Sequence, residues 1–251
     1  MSHHPESPAG SVAVVTGGSS GIGRAVAETL AAGGVHVAVV GLTAERVEAA
    51  AEALRQAAGD DTGVLPLTLD VREWSDMERM AERTLDRFGR IDLLVAAAGI
   101  AREPGSTRMM PSPVAQMTIS EWDAVIATNL RGVFLSNRAV LPAMIRQRRG
   151  TIINVSSSPA GRQGQAYAAA YSASKFGVRG LSQALDQEVG RLGVRVHTIF
   201  PGLVDTPMVS GTTLADSLGT PLPPQRVADL VMSLWTLPAD SRIVEPILTP
   251  E

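Results

Sequence analysis

Ser11-Val12-Ala13-Val14-Val15 runs directly into Thr16-Gly17-Gly18-Ser19-Ser20-Gly21-Ile22-Gly23. The first five residues are a short, valine-rich run, the mark of a buried strand. An amphipathic helical pattern follows the glycines to about Gly33. Strand, glycine-rich turn and helix together make an anion site. Glycine lets the backbone approach a ligand closely, and a helix N-terminus offers unpaired N–H groups to a phosphate. The spacing Gly17-x3-Gly21-x-Gly23 differs from G-x-G-x-x-G. It is not a nucleotide-binding Lys-Ser/Thr loop either, because Gly23 is followed by Arg24 and Ala25. A tight strand-to-helix join would use glycine too, but three glycines behind a first strand favour the phosphate reading.

Outward from this unit the alternation repeats. Residues 36–40 read as a strand and 43–58 as a helix. Residues 63–69 read as a strand ending at Asp70 and Val71, followed by a helix over 73–88 and a strand over 91–96. Long helical patterns cover 120–149 and 168–192. Strands are expected at 151–155, between those helices, and at 194–200, which Pro201 and Gly202 close. A helix near 225–237 and a strand near 243–248 complete the pattern. Regular strand–helix repetition predicts α/β architecture: a single-domain, doubly wound parallel sheet of about seven strands with helices on both faces. The domain should span 10–251, with 1–9 as a disordered tail. Ligands of such sheets bind at the carboxyl ends of the strands, so Gly17, Asp70 and Gly99 should converge. Residues 101–117 and 203–224, rich in Pro, Ser, Thr and Gly, read as loops beside that crevice.

Composition narrows the function classes. The chain is 45% hydrophobic but only 4% aromatic, so its core is aliphatic. The net charge is -3, with no basic block, which gives no sign of a nucleic-acid partner. No apolar run approaches the roughly 20 residues of a membrane span, and residues 1–10 lack the apolar region of a signal peptide. There is no cysteine, hence no thiolate chemistry or Cys-ligated zinc. No metal site is expected, because His3 and His4 sit in the presumptive tail. A cytoplasmic location fits these features.

Scarcity marks the chemistry. Lys175 is the only lysine, and Tyr167 and Tyr171 are the only tyrosines. Arginine serves everywhere else as the cation, so a compact ammonium is needed at one place. Tyr171 and Lys175 are four apart and share a helix face. An ammonium at about 4 Å interacts with a phenolate by roughly 4 kcal/mol at an effective dielectric of ~20. That is roughly three pKa units, enough to make Tyr171 a general acid/base near neutral pH.

With these motifs in order, the chain resembles the short-chain dehydrogenase/reductase family. The resemblance rests on Thr16-x3-Gly21-Ile22-Gly23, Asp70, Gly99, Asn129, Ser158, Tyr171-x3-Lys175 and Pro201-Gly202. It implies that Tyr171 is the acid/base and that Lys175 binds the nicotinamide ribose and lowers the tyrosine pKa. Family spacing, thirteen residues before the tyrosine, selects Ser158 over Ser156 and Ser157 as the serine that holds the substrate oxygen. Asn129 would hold a water in a proton relay, or else bond to backbone inside its helix. Gly17, Ser19, Ser20, Gly21, Ile22 and Gly23 would cradle the pyrophosphate. Gly41, Leu42 and Thr43 would face the adenosine ribose, with Asp70 and Val71 at the adenine. Ala97, Ala98 and Gly99 would line the crevice, Pro201 and Gly202 would also border the cofactor, and Thr206 and the backbone of Val204 would grip the carboxamide. The family's Asn-Asn-Ala-Gly is replaced by Ala96-Ala97-Ala98-Gly99, so two amides are missing.

The implied activity is hydride transfer between NAD(P)(H) and a carbonyl or alcohol substrate, with residues 101–117, Gln163, Tyr167, Met208 and 209–222 around the substrate. Its rival is a catalytically silent dinucleotide-binding regulatory or scaffold protein of the same fold. Gly41 offers no carboxylate to repel a 2′-phosphate, so NADP(H) is expected to be preferred, with NAD(H) usable. Apolar residues on the two long helices, together with the family habit, point to a homo-oligomer, a tetramer or otherwise a dimer.

Overall fold

Seven parallel strands form one sheet in the computed structural model, in the order β3-β2-β1-β4-β5-β6-β7. The structure describes residues 8–59, 61–105, 111–209, 220–238 and 240–250. The strands are β1 (Val12–Thr16), β2 (His36–Gly41), β3 (Val64–Thr68), β4 (Leu93–Ala96), β5 (Gly150–Val155), β6 (Val194–Pro201) and β7 (Ile247–Leu248). The helices are α1 (Gly21–Ala32), α2 (Ala44–Ala57), α3 (Trp74–Phe88), α4 (Ile119–Ile126), α5 (Gly132–Gln147), α6 (Ala169–Val189) and α7 (Pro224–Trp235).

Valine runs make the central strands because both faces are covered. Ala13, Val15, Val37, Val39 and Ile153 pack with residues of α1 and α7 on one side. Val14, Ala38, Val40, Leu94 and Ile152 pack with residues of α3 and α5 on the other. Each fully buried Val or Leu side chain contributes about 1.5–3 kcal/mol. The core is thus mainly aliphatic, with Phe200 among its largest fully buried side chains. Strand order reverses between β1 and β4, which both end in register at Thr16 and Ala96. That switch point opens the crevice.

Two expectations are corrected. The helix read over 120–149 is three pieces: α4, a π turn over Ala127–Arg131, and α5. The strand read over 243–248 is only the two-residue β7. The segment before it leaves the sheet at Glu245, whose φ is +49°, and binds α6 through side chains instead. No helix among the described residues is long and apolar enough to cross a membrane. Residues 1–7 of the expected 1–9 tail, and residues 106–110 and 210–219 of the two crevice loops, lie outside the described residues.

Candidate active site

The crevice is built from backbone contacts at the strand ends. Gly17 has φ +68°, and a Cβ there would stand 2.8 Å from the Ala98 nitrogen. Only glycine lets the first turn press this closely on the segment after β4. Ala97 N–H donates to the Thr16 carbonyl at 3.2 Å, and Ala98 N–H to Thr16 Oγ1 at 3.4 Å. Asn129 completes the support: its Oδ1 accepts from Ile100 N–H at 2.8 Å, and its Nδ2 donates to the Ile100 carbonyl at 2.8 Å. Thr16 and Asn129 therefore hold the Ala97–Ile100 backbone where the two amides are missing.

Ser20 precedes α1 without a side-chain capping bond, so the first-turn N–H groups of Gly21, Ile22 and Gly23 are presented to the crevice. A Cβ on Gly21 would lie 3.1 Å from Thr206 Cγ2, which brings the segment after β6 over the start of α1. Gly202 N–H donates to the Leu248 carbonyl at 2.7 Å, and Val204 bridges to Leu222. At the end of β2, Leu42 is exposed, and Thr43 precedes α2 without a side-chain capping bond. A Cβ on Gly41 would meet Ser19 Oγ at 2.7 Å and Val47 Cγ2 at 2.8 Å.

Asp70 and Val71 follow β3, with Val71 buried. Arg72 grips the Asp70 carboxylate through Nε at 2.9 Å and Nη2 at 2.5 Å, which holds the Asp70 carboxyl below its ordinary range. Arg131, in the π turn, donates in turn to the Arg72 carbonyl. This paired carboxylate was not legible in the sequence, because an Asp-x-Arg step does not reveal whether the two side chains fold back on one another.

The chemistry-bearing side chains meet at the N-terminal end of α6. Lys175 is buried, and its Nζ donates to the Val155 carbonyl at 2.8 Å. Nζ also lies 5.5 Å from the Tyr171 ring centroid. Ser156 Oγ donates to the Lys175 carbonyl at 2.9 Å, tying the end of β5 to the helix. Asn129 Nδ2 reaches Ser174 Oγ at 3.1 Å, so the π turn is anchored one residue from Lys175. Asn129 therefore bonds both to the backbone after β4 and to the helix that carries Tyr171 and Lys175.

The Ser157 side chain acts on the Tyr171 phenol, lowering its pKa against the larger effect of burial. Ser158 N–H donates to the Pro201 carbonyl at 2.8 Å.

Electrostatics departs from the simple pairing estimate. Burial pushes the Tyr171 phenol above its ordinary value, against the smaller lowering effect of Ser157. Burial also brings Lys175 down to about 8. The cost of desolvating both groups outweighs their mutual attraction. At neutral pH the phenol therefore carries its proton, and the lysine is mostly charged.

A crevice beside Tyr171 is walled by Ala101, Met117, Val125, Ala168 and Ala170, with Arg102, Glu103, Ser112 and Glu121 around it. It thus draws on the predicted 101–117 loop. Ser120 Oγ donates to Glu103 at 2.6 Å and Ser112 Oγ to Glu121 at 2.7 Å, which fastens both ends of that loop to α4. Gln163 is exposed, and its N–H bonds to the Pro159 carbonyl.

The family model for short chain dehydrogenases matches residues 11–216. An uncharacterized oxidoreductase of Staphylococcus epidermidis is 33% identical over 239 residues, covering 95% of this chain and 96% of that one. The crystal structure of levodione reductase superposes with a TM-score of 0.85 at 31% identity, covering 96% of each chain. A metagenomic short-chain oxidoreductase solved in complex with NADP superposes at 0.81 with 34% identity, covering 98% of this chain and 99% of that one. Sheet order, glycine turn and the Tyr171–Lys175 helix agree with these likenesses: the chain belongs to the short-chain dehydrogenase/reductase family of oxidoreductases.

Proposed function

We propose that the protein reduces a small-molecule carbonyl to an alcohol, and runs the reverse oxidation, with NADP(H) preferred and NAD(H) usable. The observation that carries this reading is the Tyr171 phenol with the buried Lys175 ammonium 5.5 Å from its ring centroid, at the edge of a crevice suited to a dinucleotide. The first-turn N–H groups of α1 and the close Gly17–Ala98 approach fit a pyrophosphate. Gly41 leaves no carboxylate to repel a 2′-phosphate. The NADP complex of the metagenomic relative supports the same cofactor. The nicotinamide, when bound, supplies or accepts the hydride at the substrate carbon.

The chain's own groups do the rest. In reduction Tyr171 gives its hydroxyl proton to the substrate oxygen as charge develops there. Ser157 takes the role that spacing had given Ser158: its hydroxyl donates to the same oxygen and fixes its position. Lys175 keeps a positive charge beneath the phenol, favouring the transient phenolate left by proton transfer. Asn129 holds the backbone after β4 and, through Ser174, the helix that carries both groups. Nothing in this site favours the silent binding protein.

We also place a homo-oligomer, tetramer or dimer, on the α5–α6 face, where Phe134 is 43% and Phe176 40% exposed. Such a face fits an isologous contact, and light scattering at micromolar concentration should give a multiple of the 26.3 kDa chain mass. The activity itself is tested by following NADPH absorbance with a panel of ketones and aldehydes. Turnover with at least one carbonyl is expected. Tight NADPH binding with no turnover across the panel would restore the binding-protein reading.

A further inference from the structure

Tyr167 carries two unfavourable features at once. Its φ is +60°, a value that crowds a bulky side chain against its own backbone. Its side chain nevertheless leaves the residue 60% exposed, so packing does not offset the strain. The cause is a turn. Ala168 N–H donates to the Gln165 carbonyl at 3.1 Å, with Ala166 and Tyr167 at the centre. Positive φ at the second central residue but not the first is the type II pattern, which favours glycine at that place. Two more bonds lock the turn onto the catalytic helix. Gln165 N–H donates to Ser172 Oγ at 3.1 Å, and Ser172 N–H donates to the Ala168 carbonyl at 2.7 Å. The backbone cannot relax without disturbing the first turn of α6. Glycine at 167 would satisfy the same turn without strain and without an exposed ring. Strain that the surroundings hold in place gathers at ligand clamps and active sites.

Position supplies the ligand. Tyr167 immediately precedes Ala168, which with Ala170, Tyr171, Ala101 and Met117 lines the proposed substrate crevice. We propose that Tyr167 is a specificity-determining residue of the reaction put forward above, on which this inference rests. Its ring forms the rim of the crevice and stacks on the part of the substrate that does not react, a flat apolar or aromatic group borne by the carbonyl carbon. The carbonyl itself lies at Tyr171 and Ser157, one helical turn further on. An aromatic ring is suited to this work because it offers a rigid face with few rotamers to freeze.

The test measures kcat/KM with NADPH for an aryl ketone and for a short aliphatic ketone in the wild type, Tyr167→Phe and Tyr167→Gly. Tyr167→Phe should keep the aryl-over-aliphatic ratio within roughly twofold. Tyr167→Gly should lower that ratio by about tenfold or more, mainly through KM of the aryl ketone. Its melting temperature should rise, because the strain is gone while the turn remains. An unchanged ratio in Tyr167→Gly overturns the proposal. So does an equal loss on both substrates accompanied by a smaller light-scattering mass, which would make the ring an oligomer contact. A wild type that reduces neither these two ketones nor any other carbonyl removes the proposed activity as well. A wild type that reduces carbonyls with a ratio indifferent to residue 167 removes this inference alone.

Discussion

Lys175 Nζ lies 5.5 Å from the centroid of the Tyr171 ring. It is held there by the carbonyl of Val155 at 2.8 Å. The cation therefore stands against the face of the ring, within the range of a cation–π contact. Strand β5 ends where that carbonyl can fix the ammonium, and the four-residue helical offset brings the phenol alongside. Burial dominates both groups. It keeps the phenol protonated and makes the lysine the one that titrates near physiological pH.

Tyr171→Phe removes the only proposed proton donor to the substrate oxygen. Turnover should fall by about 10²–10⁴-fold, while NADPH affinity by fluorescence titration stays near that of the wild type. Substantial activity in the folded variant, with Tyr167 intact, would sink the assignment.

Lys175 titrates at about 8 instead of its ordinary 10.5. Reductase kcat should therefore decline on the alkaline side with a midpoint near 8, as the charge beside Tyr171 is lost. Stability moves the opposite way. Between about 8 and 10.5 the unfolded chain binds more protons than the folded one, so stability rises with pH across that window. The burial penalty is fully present below it. Relative to Lys175→Met, the wild type should gain up to about 3 kcal/mol between pH 8 and 10.5. Paired denaturant titrations at the two ends of the window measure this. Parallel behaviour of the two proteins would show that Lys175 is not desolvated.

Ser157→Ala should lower kcat by about 10²–10³-fold, the usual cost of one oxyanion donor. Ser158→Ala should stay within roughly threefold of wild type, because Ser158 is engaged through its backbone bond to Pro201. Steady-state kinetics of the two variants with one carbonyl decides between the residues. The reverse order would return the role to Ser158.

What the sequence discloses follows from how locally each feature is determined. β1, the glycine turn and α1 are specified by neighbours in the chain, so they could be read within a residue or two. The Tyr171–Lys175 pair was legible because helical spacing alone brings the two together. The π turn at Asn129 was not, since one extra residue per turn leaves the apolar period of a 30-residue pattern nearly intact. The influence of Ser157 on Tyr171 was not legible, because the two residues lie across a loop of unconstrained length. The run before β7 looked like a strand from its apolar residues. Its course is instead set by Glu245, which pairs with Arg179 far away in sequence.

That pair bears on catalysis at a distance. Glu245 accepts from Arg179 Nε at 2.6 Å and Nη2 at 2.7 Å, and from Gln183 at 2.8 Å. It thus binds α6 to the segment whose Pro246 and Leu248 carbonyls accept from Phe200 and Gly202. The brace joins the Tyr171 helix to the end of β6. Glu245→Ala should lower kcat by about 3–10-fold with little change in the KM for NADPH. Because the pair is part-exposed, stability should fall by no more than about 1 kcal/mol. The double variant Arg179→Glu with Glu245→Arg should recover part of the kcat. A loss of stability with unaltered kcat would make the pair purely structural.

Cofactor choice turns on the end of β2. With no acid at Gly41, kcat/KM for NADPH over NADH should exceed one. It should do so only modestly, because Leu42 stands exposed where an arginine would clamp the phosphate. The obvious reversal, Gly41→Asp, meets a steric obstacle. Its Cβ would come within 2.7 Å of Ser19 Oγ and 2.8 Å of Val47 Cγ2. Ser19 can rotate away, but Val47 is buried in the core cover of α2 and has little room to move. Gly41→Asp alone should therefore lose about 1–3 kcal/mol of stability from overpacking, and lose NADPH use without a matching gain with NADH. Adding Ser19→Gly and Val47→Ala clears both contacts, and NADH should then become the better cofactor. Thermal melts together with kcat/KM for both cofactors follow the two effects separately. A clean switch to NADH in Gly41→Asp alone, at wild-type stability, would show that the strand end yields more easily than its packing indicates.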